Sequence, residues 1–431
     1  MKYYSLNRQS SDVTFEKAVV NGIAPDKGLY FPKEIKRLPT EFFKTIQDHS
    51  NEEIAYQLIK QFVGEEIPEN DLRKIIEDTL CFDFPLVHVK ENTCSLELFH
   101  GPTMAFKDVG GRFMARCLSY FKRNDKKEVT VLVATSGDTG GAVASGFLGV
   151  EGVNVVILYP SKKVSEVQEK QLTTLGQNIK ALEVEGTFDD CQAMVKNAFI
   201  DKDITSKIQL TSANSINVAR WLPQMFYFAY AYKQLKNRDK KLAVAVPSGN
   251  FGNICAGLMA QKLGLPIDQF IAANNANDAV TNYLLSGNYH SRPSVQTISN
   301  AMDVGDPSNF IRIQELYQND FELIKEHLVA YAFNDEETKA AMDQVYKKYN
   351  YILDPHGAVG YLGLEAFLKD KSGWQGIFLE TAHPVKFLDV VEPVIQNKID
   401  YPEQILEVID KEKKAVFISS YKELKSFLLN G

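Results

Sequence analysis

The chain has 431 residues, 45% hydrophobic and 24% charged, with a net charge of -7. That length exceeds one ordinary core and predicts two or three domains, while the acidic balance excludes the basic footprint of a nucleic-acid binder. No apolar run approaches the ~18 residues of a membrane span, and the scattered Cys81, Cys94, Cys117, Cys191 and Cys255, with no apolar leader after Met1, predict reduced thiols and a cytoplasmic protein.

Residues 1–85 read as a helical N-terminal region without chemistry of its own. Gly22 to Pro32 is rich in turn residues and predicts a loop. Amphipathic helices are expected over Ser50 to Phe62, capped by Ser50, and over Pro68 to Leu80. From Pro85 the pattern changes. Short apolar runs at 96–99, 128–134, 152–159, 179–184, 208–211, 242–246, 270–273 and 376–379 alternate with helical stretches, one interrupted by Pro223. Apolar strands alternating with helices predict parallel sheets covered on both faces, with ligands beyond the carboxyl ends of the strands.

Four strand-following loops could carry chemistry. Ala134-Thr-Ser-Gly-Asp-Thr-Gly-Gly-Ala142 offers backbone donors at a helix start, with Asp138 oddly placed in an anion cradle. Ser212-Ala-Asn-Ser-Ile-Asn-Val-Ala-Arg220 adds a guanidinium fork. Val246-Pro-Ser-Gly-Asn-Phe-Gly-Asn253 lets amides close on a phosphate, with the Asn side chains as extra donors. Leu379-Glu-Thr-Ala-His-Pro-Val-Lys386 follows the last strand; its His383, like His356 upstream, lacks metal-ligand spacing and reads as structural. Neither nucleotide fingerprint is present. Taken singly, each glycine- or asparagine-bearing loop also fits a merely capped helix.

The fifth feature is Leu96-Glu-Leu-Phe-His-Gly-Pro-Thr-Met-Ala-Phe-Lys-Asp-Val-Gly-Gly-Arg112, which places Lys107 between Phe106 and Asp108 where a turn meets a helix. Desolvation and the positive end of the helix dipole disfavour an ammonium there; a surface lysine is the plainer alternative. One candidate amine, two anion sites and no metal motif together suit a cofactor with a phosphate and an aldehyde, beside an anionic substrate. Pyridoxal phosphate has that chemistry.

On these residues the chain resembles the threonine synthase family, pyridoxal-phosphate enzymes of the tryptophan-synthase β-like fold. The likeness runs through Glu97 to Asp108, Ala134 to Gly140, Ser212 to Asn217, Pro247 to Gly252, Ser299 to Asp303 and Thr381 to Pro384, and includes Gly22 to Asp26 and Gly28 to Pro32. It implies that Lys107 is the Schiff-base lysine, and that Gly249, Asn250, Phe251, Gly252 and Asn253 cradle the cofactor phosphate. Thr381 would face the pyridine nitrogen. Ser136, Gly137, Asp138 and Thr139 would clamp the substrate carboxylate, and Asn214, Ser215 and Arg220 its phosphate. The role of Asp138 stays open, because an aspartate donates no hydrogen bond unless protonated. Gly141 and Gly357 stand where alanine-type residues are commoner in the family and are expected to matter for packing only.

The implied reaction converts O-phospho-L-homoserine and water to L-threonine and phosphate, without a metal. The nearest alternative is a threonine dehydratase or cysteine synthase, whose substrates carry no γ-phosphate. The implied fold is α/β: two doubly wound parallel-sheet lobes with the cofactor between them, plus the helical N-terminal region. The expected division is 1–85, a small lobe of 126–215, and a large lobe of 86–125 with 216–431, in a monomer or homodimer.

Overall fold

The computed structural model describes residues 1–123 and 127–430. The N-terminal region carries a small antiparallel sheet of β1 (Lys2–Ser5), β2 (Val13–Thr14) and β3 (Tyr30–Pro32) in the order β2-β1-β3. It is therefore not purely helical, and β3 lies within the expected loop. The two expected helices form over Asn51–Val63 and Glu69–Thr79. Ser50 caps the first, its Oγ accepting from Glu53 N at 3.1 Å, a contact whose loss costs about 1 kcal/mol in such helices.

The remaining strands are β4 (Leu86–Lys90), β5 (Thr93–Glu97), β6 (Val129–Ala134), β7 (Val153–Pro160), β8 (Ile179–Val184), β9 (Gln209–Thr211), β10 (Lys241–Pro247), β11 (Gln269–Asn274), β12 (Leu328–Ala332), β13 (Trp374–Glu380) and β14 (Val416–Ile418). One sheet has the order β12-β11-β10-β13-β5-β4, parallel except for the β4–β5 pair. The other is wholly parallel, in the order β14-β8-β7-β6-β9. Every residue of β6 is buried, as a strand covered on both faces requires.

Two expectations shift. The strand read at 96–99 ends at Glu97, although Leu98 N still donates to Glu380 O at 2.9 Å. The C-terminus does not stay with the larger sheet: β14 pairs with β8 and so joins the sheet of residues 126–215. Only three residues long, β14 carries no readable alternation. The expected boundary at 125/126 lies outside the described residues, as does the end point Gly431.

Pro223 acts as expected. It separates the helix Val218–Trp221 from Met225–Gln234 by a tight turn at Leu222–Gln224, since proline has no N–H to continue the ladder.

Glycines bring together the two helices that open at the site, Lys107–Lys122 and Asp138–Phe147. A Cβ on Gly111 would lie 2.6 Å from Ala142 O, and one on Gly146 2.9 Å from the Gly111 carbonyl carbon. Gly357 is equally constrained, for its missing Cβ leaves the space that the buried Glu380 carboxyl fills. At Gly141 the nearest atom to an added Cβ is 3.6 Å away. Gly141→Ala should therefore leave the melting temperature close to wild type. Gly357→Ala should lower it, at an overpacking cost of about 1–3 kcal/mol. Equal melting temperatures for the two variants, measured by circular dichroism, would contradict this packing.

Candidate active site

Beyond the carboxyl ends of β5, β6, β10 and β13 lies a cavity of about 350 Å³. Its wall carries Lys107, Ser136, Asp138, Thr139, Asn214, Ser215, Arg220, Gly249, Asn250, Phe251, Gly252, Asn253 and Thr381. Of the residues singled out by sequence, Gly137 alone is not on the wall. Its N–H donates to Thr135 Oγ1 at 2.9 Å, and a Cβ there would meet the Gln168 side chain. With φ at 134°, its place is to make the turn.

Lys107 opens its helix, and the turn before it is pinned by Phe106 N donating to Thr381 O at 2.9 Å. The Nζ lies 4.5 Å from the Phe106 ring centroid and 3.6 Å from Asp138 Oδ2. Burial pushes the ammonium below its ordinary range; Asp138 opposes that shift, and Lys386 and Arg220 add to it.

Asp138 is not a bare carboxylate in an anion cradle. Its Oδ1 pairs with Lys386 Nζ at 2.7 Å and accepts from Gln168 Nε2 at 2.9 Å. Burial alone would raise its pKa, yet Lys386 and Lys107 hold the carboxyl well below the usual range. Lys386 also donates to Thr103 O at 2.8 Å, and Thr103 donates N–H and Oγ–H to Asp108. A polar chain thus runs from Lys107 through Asp138, Lys386 and Thr103 to Asp108. Sequence reasoning passed over Lys386, Gln168 and Thr103. Lys386 did leave a signal, for it lies between Val385 and Phe387 as Lys107 follows Phe106.

Two sets of anion donors face the cavity. Among the described residues, nothing in the protein accepts from the N–H groups of Gly249, Asn250, Phe251, Gly252 or Asn253, which lead into the helix Gly252–Lys262. The αL backbone of Phe251 (φ 60°) turns the chain there. The Asn side chains are not the extra donors expected of them. Asn250 Nδ2 donates to Ser215 Oγ at 2.7 Å, and Asn253 Nδ2 to Pro247 O at 2.8 Å.

The second set centres on Arg220, fully buried, with one nitrogen on Ala213 O and Nε without a partner. Among the described residues no carboxylate lies within ion-pair distance of it, and burial lowers its pKa to about 10. A buried cation so poorly paired is costly until an anion arrives. The N-terminal region supports this loop: Asn217 Nδ2 donates to Val19 O at 2.9 Å, and Arg312 donates to Tyr30 O at 3.0 Å and Ile216 O at 2.6 Å. A further row of amides without an acceptor among the described residues, at Ser136, Asp138 and Thr139, opens the helix Asp138–Phe147.

Both histidines have hydrogen-bond partners within the protein. His356 bonds Asp354 through Nδ1 at 2.5 Å and accepts from Ala301 N at 3.2 Å. His383 Nδ1 accepts from Val385 N at 3.1 Å, and its ring meets Phe99 edge-on.

The amine, the amide rows and the unpaired guanidinium define the class, and comparison with known proteins agrees. The family model "Pyridoxal-phosphate dependent enzyme" matches residues 85–375. "Threonine synthase N terminus" matches 2–80, and "Threonine synthase, C-terminal" matches 357–428. Threonine synthase from Buchnera aphidicola is 42% identical over 435 residues, covering 100% of both chains. The crystal structure of threonine synthase from Escherichia coli superposes with a TM-score of 0.94 at 40% identity, covering 100% of both chains. A pyridoxal-phosphate-bound threonine synthase from Brucella melitensis gives 0.92 at 34% identity, covering 99% of this chain and 98% of that one. The chain belongs to the threonine synthase family of pyridoxal-phosphate-dependent enzymes. Because these relatives match from end to end, terminal regions included, the dehydratase and cysteine synthase alternatives are not favoured.

Burial, with His100 second, pushes His383 down to about 4. Its ring should therefore stay neutral through the range where an ordinary histidine titrates, near ~6.5. Ring-carbon NMR shifts of His383 against pH check this; a midpoint at the ordinary value would contradict the burial.

Proposed function

We propose that this chain converts O-phospho-L-homoserine and water to L-threonine and phosphate, with pyridoxal phosphate held in the cavity. The observation that carries the reading is one cavity where a half-buried amine faces two separate sets of unpartnered anion donors: a row of backbone amides, and an unpaired buried guanidinium. A cofactor phosphate and a substrate phosphate need two such sites. The cradle has no room for a side chain at Gly249, where a Cβ would lie 2.7 Å from Met302 Cα. Bound there, pyridoxal phosphate supplies an aldehyde for an amine and a ring that withdraws electrons from the substrate carbons.

The chain's own residues divide the work. Gly249 to Asn253 hold the cofactor phosphate through their N–H groups. Lys107 would be the amine that holds the cofactor and, once free, would take the Cα proton and move protons at the carbons beyond. Thr381 would face the ring nitrogen; as a neutral hydroxyl it would not force a proton onto that nitrogen. The amides of Ser136, Asp138 and Thr139 hold the substrate carboxylate, and Gly137 shapes their turn. Asn214, Ser215 and Arg220 hold the phosphate that leaves.

The division into lobes belongs to the same reading. The sheet of 126–215, with β14 added to it, moves against the sheet built from 86–125 and the chain after 216, and its closing excludes water until the phosphate has left. Five unpaired cysteines support a reducing compartment, the cytoplasm. Among the described residues, no helix is long and apolar enough to cross a membrane.

With phosphohomoserine as substrate, threonine and phosphate should appear in equal amounts, and serine or threonine should not be deaminated. Arg220→Lys should raise KM at least tenfold, about 1.4 kcal/mol, while leaving cofactor binding intact. An unchanged KM would remove Arg220 from the substrate site; deamination without phosphate release would favour dehydratase chemistry.

A further inference from the structure

A buried lysine, Lys386, and a half-buried one, Lys107, share one carboxylate at this site, and the reaction as assigned uses only Lys107. The Lys386 side chain is 0% exposed and lies off the cavity wall, on the short turn Pro384–Phe387. Its Nζ is 2.7 Å from Asp138 Oδ1, whereas Lys107 reaches only Oδ2, at 3.6 Å. That gap exceeds the 2.7–3.2 Å of a good N–H···O bond by about half an ångström. Gln168 takes a further place on Oδ1 at 2.9 Å. Asp138 is thus committed to Lys386, and Lys107 is left with a partial partner.

We propose that Lys386 is a positioning residue: by engaging Asp138 it denies Lys107 a full carboxylate partner and keeps the Lys107 nitrogen available as a neutral amine. This rests on the reading of Lys107 as the amine that carries the cofactor. A buried ammonium pairs strongly with the nearest carboxylate. Without Lys386, Asp138 would turn to Lys107 and hold its proton.

The charges around Lys107 favour this arrangement. From the helix Asp138–Phe147 comes Asp138; from the turn Pro384–Phe387, Lys386; from the helix Val218–Trp221, Arg220. Asp108, on the same helix as Lys107, is turned toward Thr103. Burial, Lys386 and Arg220 favour the neutral amine, and Asp138 alone opposes them. Asp189, Lys196, Arg292, Asp303, Asp306 and His356 also line the cavity; they are common to the variants compared below.

The test follows the full-length chain, freed of cofactor, as it turns yellow after pyridoxal phosphate is added. The neutral Lys107 amine adds to the aldehyde carbon and water leaves, so the rate rises with pH as Lys107 loses its proton. Lys386→Met should move the midpoint of that rise up by about one pH unit, a rate about tenfold lower at neutral pH. Lys386→Arg, which keeps a cation on Asp138, should restore the wild-type midpoint. A folded Lys386→Met protein with the wild-type midpoint overturns the inference.

Should Lys386→Met not fold, the charge-balanced double variant Asp138→Asn, Lys386→Met decides. With the carboxylate gone its midpoint should lie at or below wild type, and a midpoint above wild type overturns the inference. Lys107→Ala separates the two readings. If that variant still yellows at the wild-type rate, the assignment of Lys107 has failed; if it stays colourless while Lys386→Met is unmoved, only the role of Lys386 has failed.

Discussion

The Asp138 carboxylate, shared unequally by Lys386 and Lys107, is the contact on which the rest of the site depends. It joins the helix that follows β6 in one sheet to the turn that follows β13 in the other. Placing three charges where water is scarce is unfavourable unless each has a partner in good geometry. Here the bonds from Gln168 and to Thr103 complete the arrangement. The consequence is a lysine whose ammonium is disfavoured at a helix N-terminus, beside a carboxylate already occupied.

Around that contact, most of the free anion donors among the described residues are backbone amides. The amide rows at 136–139 and 249–253 belong to helix starts whose donors are left open by design of the turn, not by missing side chains. Close approach of the helices depends on Gly110, Gly111 and Gly146, which let helix backbones touch. Arg220 completes the set. Among the described residues it is buried without a carboxylate partner and has Nε free to take an anion.

Much of this was legible in the sequence because it is local. Strand-loop-helix alternation placed the loops, and glycine with hydroxyl residues at helix starts marked both amide rows as anion sites. What escaped is non-local. Lys386 is 279 positions from Lys107 along the chain, and the pairing of β13 with β5, continued by Phe106 N donating to Thr381 O, brings their loops together. No spacing rule could show that Asn250 and Asn253 would use their amides to tie loops together. Gly357 matters for packing, as expected, but the partner that makes it matter, the buried carboxyl of Glu380 on β13, stands 23 positions on in the chain and has no signal in the sequence. β14 was missed because three residues are too few to show a period.

The central claim is that Lys107 is the amine that carries the cofactor. Borohydride reduction of the yellow protein, followed by peptide mapping, tests it most directly. The account predicts one reduced pyridoxyl group, on the peptide containing Lys107. A label on Lys386, or on any other lysine, would contradict it.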